Sequence, residues 1–99
     1  MGKYVFIYYE SSGMDSGDGE AWGQWFGTLG DKLIDGGNPF KAGGKAVHRN
    51  GVMAIVEKPA TGYSIVSADS MDQATELAKG CPLATSKDGA VCVYEALPM

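Results

Sequence analysis

An uninterrupted hydrophobic run opens the chain, with six consecutive apolar or aromatic residues from Tyr4 to Tyr9. Successive side chains of a β-strand point to opposite faces of its sheet, so this run predicts a strand that is apolar on both faces. A domain of this size usually has one sheet and one helical layer, which covers a single face of the sheet. The second face is therefore expected to contact a partner chain or a ligand.

Between Glu20 and Asp35 the spacing of apolar residues changes to that of an amphipathic helix. Its apolar stripe consists of Trp22, Trp25, Phe26, Leu29 and Leu33. Gly23, Gly27 and Gly30 form a narrower stripe beside it. A glycine inside a helix costs about 1 kcal/mol relative to alanine, so the stripe predicts a close neighbour there. That neighbour is either the sheet or another helix, or a ligand lying against bare backbone.

A β-hairpin is predicted next. Two strand-like segments, Lys45 to Arg49 and Val52 to Val56, flank Asn50-Gly51, a dipeptide typical of two-residue hairpin turns. We expect this strand pair to belong to the main sheet, with Val47 facing the core.

The last third of the chain predicts a strand, a helix and a final strand. Tyr63 to Val66 forms the first strand, and Ala90 to Tyr94 forms the last. Between them, Ser70 and Gln73 have the spacing of a capping box, in which each side chain accepts a hydrogen bond from the backbone of the other. The apolar stripe of this second helix consists of Met71, Ala74, Leu77 and Ala78.

This order of elements predicts the α+β class and a ferredoxin-like βαββαβ sandwich, in which two helices cover one face of an antiparallel sheet. Residues 1–99 are expected to form a single domain. The first strand would be central, with Ser64 and with Cys92 or Tyr94 beside it on the uncovered face. Two such faces can pair as an isologous homodimer.

Composition and charge exclude several classes of function. The formal net charge is −4 and the eight basic residues are scattered, which disfavours nucleic acid binding. No apolar stretch approaches the roughly 20 residues of a membrane helix, and the opening is too short and too aromatic for a signal peptide, so we expect a cytoplasmic protein. The spacing of Cys81 and Cys92 is not that of a metal site and predicts reduced, buried thiols. No metal and no cofactor are predicted. Glu10 to Gly19, rich in Ser, Gly and Asp, predicts a surface loop.

Two sets of side chains are candidates for a site. Histidine is the side chain whose unperturbed form changes charge near neutrality, so His48 is a candidate general acid or base beside Asp35 or Tyr8. The alternative is a solvated histidine at a sheet edge. The second set consists of aromatic residues that could line a ligand cleft or simply fill the core and interface, namely Tyr8, Trp25, Tyr63 and Tyr94.

Several segments also carry a resemblance to a known family. They are the opening strand Lys3 to Tyr9, the Trp25 helix, the stretch Gly62 to Ala74, the Cys81-Pro82 turn and the strand Val91 to Glu95. Together they resemble the YCII-related (DGPF) domain family over nearly the whole chain. The resemblance implies a dimeric α/β barrel, in which the sheets of two ferredoxin-like protomers stack, with a cleft for a small molecule between sheet and helices.

The chain departs from that family at two points. The Asp-Gly-Pro-Phe element is absent, and Val56 to Ala60 runs directly toward the next strand. Members most similar to YCII carry a histidine in the first helix, whereas this helix has Trp22, Gln24 and Trp25. The resemblance therefore places no acid/base residue on this helix.

Three hypotheses of function follow. The first is a homodimeric small-molecule-binding protein of unassigned biochemical role. The second is a cofactor-independent isomerase, lyase or oxygenase that uses His48 or a cleft tyrosine. The third is a structural or regulatory interaction module. A cavity of several hundred Å³ enclosed by aromatic rings would favour the first two, and a filled interior the third.

Overall fold

The computed structural model of the chain describes residues 2–9, 19–41, 43–55, 59–85 and 89–98. Its strands are β1 (Gly2–Tyr9), β2 (Leu33–Asp35), β3 (Lys45–His48), β4 (Gly51–Ala54), β5 (Gly62–Ala68) and β6 (Ala90–Ala96). Its α-helices are α1 (Gly19–Leu29) and α2 (Met71–Ala78), and short 3-10 helices span Gly30–Lys32 and Pro82–Thr85. The α+β class is confirmed. The predicted surface loop, apart from Gly19, and the predicted end of the hairpin at Val56 lie outside the described residues.

The main sheet has four antiparallel strands in the order β2-β5-β1-β6. This order is compatible with the ferredoxin-like plan, and it places the apolar first strand between two neighbours, as predicted. Alternate residues of β1, namely Tyr4, Phe6 and Tyr8, are buried and belong to the core that includes Trp25 and Leu29 of α1. This side of the sheet is therefore the one that the helices cover.

The opposite side of the sheet, called the outer face below, is also apolar. It is formed by the intervening residues of β1 and by the residues that the strand register places beside them: Val5, Ile7, Tyr63, Ile65, Cys92 and Tyr94. The side chain of Tyr94 is 57% exposed. The prediction that Ser64 lies on this face is wrong, because Ser64 is opposite Phe6 in the register and is fully buried on the helix side.

Helix α1 is shorter than predicted. It ends at Leu29, where Gly30 adopts a φ of +55° and the backbone leaves the right-handed helix. After the 3-10 turn the chain becomes extended, and Leu33 pairs with Val66 as part of β2. The spacing of Leu33 fits a continued helix equally well, so hydrophobic period alone could not locate this boundary.

The predicted close neighbour of the glycine stripe is also absent from the described residues. A Cβ atom added at Gly23, Gly27 or Gly30 would meet nothing within 4 Å. Gly23 and Gly27 lie on the exposed side of α1. These glycines are therefore not required for packing in the described fold.

The hairpin forms, but not as part of the main sheet. Strands β3 and β4 make a separate two-stranded sheet whose turn residues are Arg49 and Asn50, one position earlier than predicted. The prediction that Val47 faces the core is wrong, since its side chain is 77% exposed. Residues 45–55 are called the arm below.

Helix α2 begins as its sequence predicts. The Ser70 hydroxyl accepts a hydrogen bond from the backbone N–H of Gln73 at 3.1 Å. The Gln73 amide oxygen accepts from the backbone N–H of Asp69 at 2.7 Å rather than from that of Ser70. Ala74 and Ala78 of the predicted stripe are buried against the sheet.

Two expectations drawn from composition can be compared with the fold. Cys81 is buried and Cys92 half-buried, and both are thiols. Among the described residues no helix has both the length and the apolar character needed to cross a bilayer.

Candidate functional site

A cavity of about 310 Å³ lies between α1 and the edge of the sheet at which β1 ends and β5 begins. It is lined by Tyr8, Trp22, Phe26, Gly36, Gly37, Asn38, Pro39, Thr61, Gly62 and Tyr63. Small-molecule sites typically have volumes of roughly 300–1,000 Å³ and mostly apolar walls with a few polar groups. The cavity falls at the lower end of that range and has this composition.

Aromatic rings form the helix side of the cavity. The Trp22 ring meets the Tyr8 ring edge-on, with centroids 5.0 Å apart and planes at 83°, and Phe26 lies 5.9 Å from Trp22. Trp25 contacts all three rings but is itself 4% exposed, so it supports this wall from within the core. Its indole N–H donates to the Leu77 carbonyl at 3.0 Å, which ties α1 to α2. The aromatic wall is therefore supported by Trp25, which contacts its three rings and bonds to α2.

A chain of two hydrogen bonds fixes the polar side of the cavity. The Ser64 hydroxyl donates to the Gly36 carbonyl at 2.6 Å, and the Tyr8 hydroxyl donates to Ser64 Oγ at 2.7 Å. Because a carbonyl can only accept, the Ser64 proton must point to Gly36, and Ser64 must accept from Tyr8. The Tyr8 oxygen can then offer a ligand only a hydrogen-bond acceptor.

Backbone hydrogen bonds hold the remaining wall. The Tyr8 carbonyl accepts from the Thr61 N–H at 2.7 Å, and the Thr61 carbonyl accepts from the Phe40 N–H at 2.8 Å. The Gly37 N–H donates to the Asp35 carboxylate at 2.8 Å. Residues 36–39 lead toward the arm and residues 61–63 follow it, so this wall of the cavity is also the base of the arm.

No family model, curated protein or solved structure matches this chain. What the cavity can do must therefore be inferred from its own residues. None of the lining residues within the described part of the chain is an acid, a lysine, an arginine, a histidine or a cysteine. Burial raises the pKa of Tyr8 well above its ordinary value of 10. The phenol therefore stays protonated at neutral pH and is poorly suited to act as a general base.

The predicted site residues do not all meet at this cavity. Tyr8 and Tyr63 are among its lining residues, although the strand register places the Tyr63 side chain on the outer face, and Trp25 packs behind the aromatic wall. Tyr94 lies on the outer face of the sheet and is exposed.

The two candidate catalytic residues lie outside the lining. His48 lies exposed on the arm, at the turn end of β3. Asp35 is exposed, and its carboxylate accepts from the Gly37 N–H beside the cavity wall.

Sequence reasoning identified two of the ten described lining residues, Tyr8 and Tyr63, and missed the other eight. Trp22 and Phe26 had only the helical spacing expected of core residues, and Gly36 to Pro39 had only the composition of a helix end. The available signal was the number of rings in α1. Trp22, Trp25 and Phe26 give this short helix more aromatic surface than packing against a sheet requires. The pairing of Pro39 with Gly62, which closes the cavity, has no signal in the sequence.

The buried Tyr8 hydroxyl predicts a dependence of stability on pH. Since the folded state holds this proton more tightly than the unfolded chain, its contribution is present in full below pH 10 and is lost as the pH rises above 10. We expect Tyr8→Phe to remove part of the loss of stability measured by urea unfolding between pH 9.5 and 11. Equal slopes for both proteins over this range would contradict the assignment.

Proposed function

We propose that this chain is a homodimeric, YCII-related protein that binds a small, uncharged, planar molecule in the cavity between α1 and the sheet. The observation that carries the proposal is the aromatic cavity of about 310 Å³, in which no lining residue from the described part of the chain carries a charge. A filled interior would have favoured a purely structural module, and an ionisable group with a pKa near neutrality in the cavity would have favoured an enzyme.

The lining limits the class of ligand. Tyr8, Trp22 and Phe26 present ring faces and edges that suit a flat conjugated or aromatic molecule. The Tyr8 oxygen offers an acceptor, while the Asn38 amide carries both donors and an acceptor. A ligand with a hydroxyl or amide hydrogen directed at Tyr8 fits this pattern. An ionised ligand would lose its hydration in the cavity without meeting a countercharge among the described lining residues. Burying an unpaired charge in this way is unfavourable.

Dimerisation is supported by the outer face. Val5, Ile7 and Ile65 give this side of the sheet an apolar centre, and Tyr94 extends it to the edge strand. Both α-helices contact the other side of the sheet, so a second copy can cover the outer face by placing its own outer face against it. This arrangement is the dimeric α/β barrel that the sequence resemblance implies.

Native mass spectrometry of freshly purified protein tests both halves of the proposal. We expect the mass of two chains, and we expect a bound small molecule that gentle collisional activation releases. A folded chain that stays a monomer at 100 μM would overturn the dimer. If the dimer carries no small molecule, the binding of two fluorescent probes decides whether the cavity is a ligand site.

A pair of fluorescent probes tests the predicted preference for uncharged ligands. N-phenyl-1-naphthylamine and 8-anilinonaphthalene-1-sulfonate share a ring system and differ in one sulfonate. We expect the neutral probe to bind at least about tenfold more tightly, because desolvating an unpaired sulfonate costs more than 1.4 kcal/mol. Loss of neutral-probe binding in Trp22→Ala would place the probe in the cavity. Equal affinities, or binding that survives this substitution, would refute the proposed site.

A further inference from the structure

Ser64 is a polar residue inside the hydrophobic core. It lies on β5 opposite Phe6, its side chain is fully buried, and it is not among the described residues that line the cavity. Burying a hydroxyl is unfavourable unless hydrogen bonds compensate for the lost water. Both hydrogen bonds of Ser64 lead to residues that do line the cavity, namely Tyr8 and Gly36. Ser64 therefore acts on the cavity through its two partners.

The direction of these two hydrogen bonds is fixed. Ser64 Oγ lies 2.6 Å from the Gly36 carbonyl oxygen, and two oxygen atoms at this distance need a proton between them, which the serine must supply. If the Tyr8 proton turned toward a ligand, Ser64 Oγ would lose its donor at a fully buried position. Leaving a buried acceptor unpaired is unfavourable, so the Tyr8 proton stays on Ser64. The lone pairs of the Tyr8 oxygen are what a ligand can meet.

The wall beside Tyr8 is also poor in available donors. The hydroxyl and the N–H of Thr61 both donate to the Tyr8 carbonyl, at 3.1 Å and 2.7 Å, and Pro39 has no N–H. Among the described lining residues, side-chain N–H groups belong to Asn38 and Trp22. These two groups can bind an acceptor of the ligand, whereas the group that faces Tyr8 must itself be a donor.

We infer that Ser64 is a positioning residue that makes the cavity selective for planar molecules bearing a hydroxyl group, such as phenols, over ethers of the same ring system. The inference rests on the proposed ligand site and names the class of molecule that the site takes. A hydroxyl can give its proton to the Tyr8 oxygen. An ether oxygen in the same place would face the Tyr8 oxygen with no proton between them, and a buried polar group left unpaired in this way opposes binding.

The test compares 2-naphthol with 2-methoxynaphthalene, which share a ring system and are both uncharged at pH 7. Displacement of N-phenyl-1-naphthylamine gives the dissociation constant of each compound. We expect the native protein to bind 2-naphthol at least about fivefold more tightly, because the ether has no proton for Tyr8. The additional methyl group of the ether works against this preference, since more apolar surface favours burial. Equal affinities, or tighter binding of the ether, would overturn the inference and leave the ligand site intact.

Ser64→Ala tests the role of Ser64 itself. Without the Ser64 acceptor the Tyr8 proton can turn toward the ether oxygen, so we expect the ratio of the two dissociation constants to fall to about one or to reverse. Ser64→Thr keeps the hydroxyl and should keep the preference. Val66→Ala is the matched control, because Val66 is fully buried two residues along the same face of β5 and is not among the described lining residues. This control should lower stability and leave the preference unchanged. A preference that survives Ser64→Ala would reflect the bulk of the methyl group and would overturn the role of Ser64.

Tyr8→Phe provides a measurement that does not depend on the serine variants folding. It keeps the ring and removes the oxygen that the inference assigns to the ligand. We expect the affinity for 2-naphthol to fall at least about fivefold, while that for 2-methoxynaphthalene changes less than about twofold. Equal losses for both compounds would contradict the inference. If the native protein bound neither compound nor N-phenyl-1-naphthylamine, the proposed ligand site would fail and the inference with it.

Discussion

An alanine at Gly37 is expected to destabilise the protein by about 3–5 kcal/mol, a loss of the size reserved for severe core or backbone defects. Gly37 has a φ of +75°, a region that costs an L-residue roughly 1–2 kcal/mol. The new Cβ would also lie 1.7 Å from the carbonyl oxygen of Tyr63, so β5 and the segment containing Gly37 would have to separate. Urea unfolding measures the loss, and neutral-probe binding should fall with it because both segments line the cavity.

Two other glycines provide controls for this substitution. Gly43 has a φ of +104° with open space around a Cβ, so Gly43→Ala measures the backbone cost without a collision. Gly27 lies on the exposed side of α1 with open space, and Gly27→Ala should stabilise the protein by up to about 1 kcal/mol. If Gly37→Ala were no more harmful than Gly43→Ala, the wall formed by Gly37 and Tyr63 would be mobile and the fixed cavity would be ruled out.

Local signals in the sequence were sufficient for much of the fold. The uninterrupted apolar run predicted a central β1, and the Ser70 cap predicted the start of α2. Both depend on residues close together in the chain. The boundary at Leu29 was not predictable in this way, because Leu33 continues the helical spacing and only the conformation of Gly30 separates helix from strand. The prediction that the arm joins the main sheet was wrong for a related reason. Alternation of apolar and polar residues predicts a strand but does not specify the sheet to which the strand belongs.

The candidate site was predictable in part. Aromatic composition led to Tyr8 and Tyr63, which do line the cavity, and to Trp25, which supports it. Tyr94 and His48 were equally good candidates for the site by their chemistry alone. The tertiary arrangement places Tyr94 on the outer face and His48 on the arm. Which of several aromatic residues share a cavity depends on long-range pairing, and no alternation rule specifies it.

Trp25→Ala is expected to have the second largest effect, with a loss of about 3–5 kcal/mol of unfolding free energy. Trp25 stacks on Phe6, with centroids 6.0 Å apart, and its N–H donates to the Leu77 carbonyl, which also accepts from the Gly80 N–H at 3.2 Å. The substitution therefore leaves a cavity and removes the hydrogen bond that joins α1 to α2. Trp25→Phe retains a ring and removes the N–H, so we expect a smaller loss, of about 1–3 kcal/mol. Urea unfolding of the three proteins separates the contribution of volume from that of the hydrogen bond.

Trp22→Ala is the matched comparison, because Trp22 is three residues away on the same helix and lines the cavity directly. If the cavity binds the neutral probe, Trp22→Ala should abolish binding at a modest cost in stability, since this ring is only half-buried. Trp25→Phe should do the reverse, lowering stability while retaining most of the binding, because Trp25 reaches the cavity only through Tyr8, Trp22 and Phe26. If both substitutions changed binding and stability in the same proportion, the cavity would be a packing defect of the core rather than a separate site. Opposite patterns in the two variants can arise only if one ring supports the fold and the other contacts the ligand.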